Sequence, residues 1–189
     1  MEKISQKTQD FIDGIRYEIR YPSIFPSKAL TSKEMNIVTK AIFENANSDV
    51  YVFATGLDDY IFSEEMEDTI YNFSKGQKKL KILFKQDIEK SSLPKTFQDM
   101  IFWRQLKFFC GAENFLYKRK IDNKIFTGYP ILCGFMCIER VIAEDGEEYG
   151  VYNFRFQEKE REMFIDFYKI IKTSKTMLDF EKSKNPSHV

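Results

Sequence analysis

Amphipathic helices alternate with short apolar strands in the first half of the chain, and the joints between them are only a few residues long. A helix is predicted over 31–47, where Thr31-Ser-Lys-Glu34 has the pattern of a capping box and apolar residues recur at helical spacing. Strands rich in β-branched and aromatic residues are predicted over 49–54 and 80–84, with a second helix between them. Such alternation favours an α/β fold with a parallel sheet flanked by helices.

The second half of the chain extends this pattern. Its predicted elements are a helix over 94–103, strands over 105–110, 131–142 and 149–156, and a last helix over 158–173. Asp145-Gly146 lies between the last two strands, and this dipeptide favours a hairpin. We therefore expect a mixed, largely parallel sheet.

Three parts are predicted along the chain. Residues 1–30 form an N-terminal helix, ending near Arg20, and a Pro-containing linker. Residues 31–180 form a single α/β domain, which is long enough to bury a core of its own. Residues 181–189 are polar and are expected to form a disordered tail.

The chain contains one histidine, His188, which lies one residue from the end of the sequence. Because a frayed terminus cannot hold a base in a fixed position, this excludes histidine triads, Cys–His dyads and histidine nucleophiles. No G-x-G-x-x-G or P-loop pattern occurs either, and no cofactor is expected.

The 29 basic and 29 acidic side chains balance. Since no net charge steers the chain toward phosphate backbones, the composition argues against nucleic acid as a partner. No apolar run is long enough for a membrane span. With three cysteines and no secretory signal pattern, the expected compartment is the cytoplasm. Cys133 and Cys137 lie in an apolar run and are interpreted as buried thiols, so no metal site is predicted.

Polar residues follow the strand over 49–54, at the edge where open α/β sheets bind ligands. They are Thr55, Asp58 and Asp59, and the carboxylates of Asp58 and Asp59 could act as acid, base or metal ligands in an enzyme of another class. The alternative is that these carboxylates belong to a solvated loop, which is the commoner role of such residues.

A motif near the predicted hairpin resembles the phospholipase D superfamily, whose signature is H-x-K-x4-D followed by G-S-x-N. Here Ile138, Arg140 and Asp145 stand at the spacing of the histidine, lysine and aspartate, and Gly150 and Asn153 stand as the glycine and asparagine. The order of helices and strands over 31–175 also resembles that family.

The resemblance implies a phosphodiesterase fold without its nucleophile. In the family the histidine forms a phosphohistidine and the lysine and asparagine hold the phosphate. Ile138 has no lone pair for that step, and Val151 replaces the serine of the second motif. Arg140, Asp145 and Asn153 would then be ligand-binding residues, because a guanidinium forms bidentate bonds to phosphate.

Three functions remain open at this stage. The first is a non-catalytic phospholipase D-like module that serves as a binding, adaptor or regulatory protein. Its ligand would be a phosphorylated small molecule or a protein, and the resemblance implies a homodimer, which is also the commonest symmetry. The second is an enzyme with a carboxylate site in the loop 55–59. The third is a purely structural protein-interaction module.

Overall fold

A computed structural model describes residues 5–23, 25, 27–54, 56–57, 60–84, 88–102, 106–110, 117–121, 124–134, 136–143, 146, 148–155, 165, 169 and 175–176. In this part of the chain, none of the helices combines the length and the apolar character needed to cross a membrane.

Helices in the described ranges are α1 (Gln6–Arg20), α2 (Ser32–Glu44), α3 (Glu64–Ser74) and α4 (Lys95–Phe102). The predicted capping box starts α2: the Thr31 hydroxyl accepts the Glu34 backbone N–H at 3.1 Å, and the Glu34 carboxylate accepts the Thr31 backbone N–H at 3.2 Å. Both bonds satisfy donors that the first turn of a helix leaves without partners, so this prediction is confirmed.

The strands in these ranges are β1 (Ser27–Ala29), β2 (Val50–Ala54), β3 (Leu80–Phe84), β4 (Leu106–Cys110), β5 (Tyr117–Ile121), β6 (Lys124–Cys133), β7 (Met136–Ala143), β8 (Glu148–Asn153) and β9 (Lys175–Thr176). They form one sheet in the order β1-β8-β7-β6-β2-β3-β4-β9, and β5 pairs with β6. The α/β class, the mixed sheet and the N-terminal helix are therefore confirmed.

The prediction of a largely parallel sheet is wrong. Only β2–β3 and β3–β4 pair in parallel among the described strands. The other six pairings are antiparallel. The reason is that β5 to β8 follow one another without crossover helices, and consecutive strands joined by short turns must run in opposite directions.

One turn in this region was missed, because the apolar run over 131–142 was interpreted as a single strand. Gly134 divides it: its φ of +55° is in the left-handed region, and Cys133 pairs with Met136 across a two-residue loop. A Cβ on Gly134 would lie 3.0 Å from Asn47 Oδ1, so both the backbone and its surroundings favour glycine. The hairpin predicted between β7 and β8 is present, because these strands pair antiparallel with Gly146 between them; Asp145 lies outside the described residues.

Both faces of the sheet are buried at the central strand β2. The first face packs on the helices, and Ile42 of α2 and Ile70 of α3 are fully buried there with Val52 of β2. On the second face, Phe53 is 2% exposed and Val141 is 0% exposed. Residues of the strands therefore alternate between two apolar environments, which explains why β2 reads as a continuous hydrophobic run.

The segment predicted as a linker contributes β1, which forms one edge of the sheet against β8. Helix α1 buries Ile15 in the main core, and the Ser27 hydroxyl of β1 donates to the Glu18 carboxylate at 3.1 Å. The predicted tail over 181–189 and most of the predicted last helix over 158–173 lie outside the described residues.

Candidate functional site

The carboxyl ends of several strands meet at one edge of the sheet. Strands β2, β3 and β4 are parallel, and β7 runs in the same direction because β6 pairs antiparallel with both β2 and β7. Open α/β sheets bind their ligands at such an edge. Arg140 lies in the middle of β7, but its partner Tyr129 is two residues from Ile131, which pairs with Val52, so Arg140 is level with the carboxyl end of β2. Among the described residues, it is the sequence-predicted site residue at this edge.

Arg140 is held by Glu148 of β8. The Nε and Nη2 atoms of Arg140 donate to the two carboxylate oxygens of Glu148 at 2.6 and 3.1 Å. The two side chains are 21% and 33% exposed, so this bidentate pair is partly shielded from water. A phosphate that approaches these two N–H groups must displace a carboxylate already seated on them.

Ile138 stands at the position of the family's histidine and belongs to the core. It is 0% exposed and contributes to the cluster beneath α2. Beside it, a Cβ on Gly150 would come within 2.9 Å of Met35 Cγ, so α2 lies almost against the backbone of β8. A reacting group at position 138 would be enclosed by side chains rather than open to a substrate.

Asn153 does not lie beside Arg140. It pairs with Cys137, whereas Arg140 pairs with Gly150, and the difference of three residues puts Arg140 and Asn153 on opposite faces of the sheet. They are also separated by three residues along β7, which is about 10 Å. The structure therefore does not bring these two predicted ligand-binding residues together.

The surroundings of Asn153 are well defined. Its side chain is 3% exposed, and Oδ1 accepts the Arg155 backbone N–H at 2.6 Å, which closes a turn after β8. Within the described part of the chain, its buried Nδ2 group has no hydrogen-bond acceptor. Buried amide donors of this kind are uncommon and are often found where water or a ligand binds.

The other predicted site residues are Thr55, Asp58, Asp59 and Asp145, and all four lie outside the described residues. Among the residues that the structure does describe, no group of three or more His, Cys, Asp or Glu side chains could hold a metal ion. Cys133 and Cys137 are both buried, as predicted, and they lie on opposite faces of the sheet.

Sequence reasoning missed a polar cluster between α2 and the segment after β2. Thr39 is fully buried, and its hydroxyl donates to the Tyr60 hydroxyl oxygen at 3.2 Å. Asn36 donates from Nδ2 to the Glu65 carboxylate at 2.8 Å, whereas its buried Oδ1 and the Ser63 hydroxyl have no hydrogen-bond partner among the described residues. The i, i+3 spacing of Asn36 and Thr39 was the available signal, since it puts both on one side of α2.

The sequence analysis also did not identify Glu139, because it stands at a position where the motif accepts any residue. It is 1% exposed and pairs with Val151 on the second face of the sheet. Asn153 is its diagonal neighbour on that face. Carboxylates are rarely buried so completely, and they are concentrated at functional sites, so this pair is a second candidate region.

Comparison with known proteins finds solved structures of similar fold but no matching family. Neither a protein-family model nor a curated protein sequence matches the chain. Among solved structures, the chain is similar to TrmBL2, described as an archaeal chromatin protein with a novel mode of DNA binding. The TM-score is 0.57 at 13% identity, over 89% of this chain and 61% of that one.

A second similar structure is phosphatidylserine synthase from Haemophilus influenzae Rd KW20. Its TM-score is 0.49 at 10% identity, over 80% of this chain and 39% of that one. The chain thus spans less than two thirds of either protein. At these identities the likeness to TrmBL2 establishes a common fold alone, and the second likeness is too low to carry an argument.

Proposed function

We propose that the protein is a non-catalytic, phospholipase D-like binding module that acts as an adaptor or regulator, and that it works as a homodimer. The observation that carries this proposal is the environment of the motif. Ile138 fills the position of the nucleophile with a fully buried aliphatic side chain, and Glu148 already occupies the Arg140 guanidinium. Such a motif lacks the group that breaks a bond, which supports a binding role over a catalytic one.

The first test is phosphodiester turnover, with bis(p-nitrophenyl) phosphate as the probe. We expect no release of nitrophenolate above the buffer rate. Turnover that disappears in Arg140→Ala would overturn the proposal, because it would show that the motif is catalytic despite Ile138. Lys95→Ala is a matched control, since this exposed cation lies on α4 and pairs with Asp99 of the same helix.

A phosphorylated ligand at Arg140 would compete with Glu148 for the same N–H groups. Glu148→Gln should therefore raise the affinity for a phosphorylated probe, whereas Arg140→Ala should abolish binding. Titration with inorganic phosphate and with a nucleoside monophosphate measures this. If neither variant changes binding, the ion pair is structural and the partner is a protein that contacts another surface.

Native mass spectrometry of the freshly purified protein, at low and high collision energy, tests the dimer and any retained ligand together. A dimer that releases a phosphorylated small molecule supports the proposal in full. A monomer without ligand contradicts the homodimer and removes one support of the family resemblance.

DNA binding is the second candidate, because the fold is similar to that of TrmBL2, which is described as a DNA-binding chromatin protein. The equal numbers of acidic and basic side chains argue against it. Fluorescence anisotropy with a labelled DNA duplex distinguishes DNA binding from the function proposed above. Affinity that falls steeply between 50 and about 200 mM salt would favour DNA binding over the proposal above.

A further inference from the structure

Helix α1 has an outer face that carries exposed aromatic residues. Ile15 faces the core at 2% exposure, whereas Tyr17 and Tyr21 are 64% and 60% exposed and their rings lie 5.0 Å apart. Tyrosine is enriched in the parts of protein interfaces that contribute most to binding. An adjacent pair on one helix face is thus a natural anchor for a partner.

Two more large apolar side chains are exposed shortly after the helix in the sequence. Phe25 and Leu30 are 72% and 67% exposed and flank β1, whose Ser27 donates to Glu18 next to Tyr17. With the two tyrosines, they make four of the six large apolar side chains that are exposed in the described part of the chain. Their concentration within a short segment marks an interaction surface rather than scattered exposure.

The charges on α1 are divided along its length. In the first half the exposed Asp10 and Asp13 outnumber Lys7, and in the second half the exposed Arg16 and Arg20 outnumber Glu18, which accepts a hydrogen bond from Ser27. The two halves are therefore net acidic and net basic. A second copy of the same helix in antiparallel orientation puts each acidic half beside a basic half, and it also opposes the two helix macrodipoles. This surface is therefore complementary to itself.

We propose that the outer face of α1 is the interface through which two copies of this chain pair, helix against helix, around a two-fold axis near the level of residue 15. This deepens the homodimer proposed above and depends on it. In this arrangement Asp10 faces Arg20 of the second copy, and Asp13 faces its Tyr17. Gly14 lies at the crossing, and apart from its chain neighbours and the backbone of its own helix, no described atom lies within 4 Å of the Cβ that it lacks, which leaves room for close approach.

The neighbouring edge of the sheet is less suited to self-pairing. Lys28 is the central residue of β1, so a two-fold pairing centred on this strand would bring two ammonium groups together. A lysine in a short edge strand is a common device against edge-to-edge association. The helix face is therefore the better candidate for pairing with a second copy.

A charge-swap experiment tests the contact. Asp10→Arg and Arg20→Asp should each raise the dimer dissociation constant about tenfold, because each puts like charges together at two symmetric positions. An equimolar mixture of the two variants should restore the affinity as a heterodimer. Within one helix these residues are roughly 15 Å apart, so the mixture can rescue binding only through a contact between chains.

Sedimentation velocity over a concentration series measures the dissociation constants, and native mass spectrometry identifies the heterodimer. Tyr17→Ser should also weaken the dimer at least tenfold, whereas Tyr71→Ser, an exposed tyrosine on α3, should leave it unchanged. Circular dichroism checks that each variant is folded.

The outcomes separate the two proposals. A wild-type dimer whose dissociation constant is the same in the charge-swap and Tyr17 variants refutes the α1 interface and leaves the homodimer intact. A wild-type protein that stays monomeric up to about 100 μM overturns both, and a partner other than a second copy must then cover this face.

Discussion

Gly150→Ala is the substitution that most directly separates a packing role from a role in a motif. As the first residue of the sequence that resembles G-S-x-N, Gly150 could be needed for ligand binding. The structure gives it a steric reason instead, because an added Cβ would lie 2.9 Å from Met35 Cγ, 3.2 Å from Ile138 Cδ1 and 3.3 Å from Ala29 Cβ.

Two opposing contributions set the magnitude. Replacing glycine by alanine in an extended conformation restricts the unfolded chain and stabilises the protein by about 0.4–1 kcal/mol. Overpacking a filled core costs about 1–3 kcal/mol. Met35 is 2% exposed and the close atom lies in the middle of its side chain, so it cannot simply swing into solvent. We expect a net destabilisation of about 1–2 kcal/mol, which lowers Tm by roughly 2–8 °C at this chain length.

Urea unfolding followed by circular dichroism gives the free energies for a double-mutant cycle with Met35→Ala. If the clash with Met35 is the cause, Gly150→Ala should cost much less in the Met35→Ala background, where the methionine side chain is absent. The matched control is Gly76→Ala, at a glycine whose added Cβ would meet only backbone atoms, at 3.3 and 3.9 Å.

A Gly150→Ala protein as stable as the wild type would refute this reasoning. So would a loss of stability of the same size in both Met35 backgrounds, because the cost would then come from something other than this contact. Unchanged stability combined with a loss of ligand or partner binding would show that Gly150 serves binding, as the motif implies, rather than packing.

Three further predictions concern stability. Thr31→Ala should lower the free energy of unfolding by about 1 kcal/mol in urea titrations, because it removes the capping box of α2, and Thr31→Ser should restore it. Burial raises the pKa of Asp49, but the Lys79 backbone N–H and the Lys81 ammonium outweigh burial and lower this pKa below 3.8. The resulting stabilisation is present above pH 3.8 and is lost as the pH falls. Asp49→Asn should therefore be less stable than wild type by about 1 kcal/mol at pH 7, but not at low pH. Burial, and then the Glu18 carboxylate, raise the pKa of Tyr152 from 10.0 to about 12. Up to about 3 kcal/mol of stability that is present below pH 10 should therefore be lost toward pH 12. Urea titrations at alkaline pH should show a smaller loss of stability for Tyr152→Phe.

Much of the first half of the fold could be predicted from local sequence. The capping box at Thr31, the apolar strand over 50–54 and the helix between the parallel strands all depend on residues within a few positions of one another. The hairpin between β7 and β8 was predictable for the same reason, and Gly146 between these strands has a φ of +85° that suits glycine. The break at Gly134 was not, because its apolar neighbours have the same pattern in one long strand and in a tight hairpin.

The candidate site was less predictable. Its residue types were evident, and so was the isoleucine at the position of the motif's histidine, since these are properties of composition and spacing. The missed polar cluster of Asn36, Thr39 and Tyr60 joins a helix to a segment that follows the next strand. Hydrogen bonds of this kind depend on how α2 packs over the sheet, which no local pattern specifies.

By itself the sequence determined the alternating α/β pattern and the presence of Ile138 at the position of the motif's histidine, because periodicity, capping and residue type are local properties of the chain. Only the tertiary structure decided which side chains of the motif meet. Side chains alternate between faces at every residue of a strand, so a one-residue change in the register of the β7–β8 hairpin would put Arg140 and Asn153 on the same face. The observed register, Cys137 opposite Asn153 and Arg140 opposite Gly150, separates them and brings Glu148 to the arginine instead.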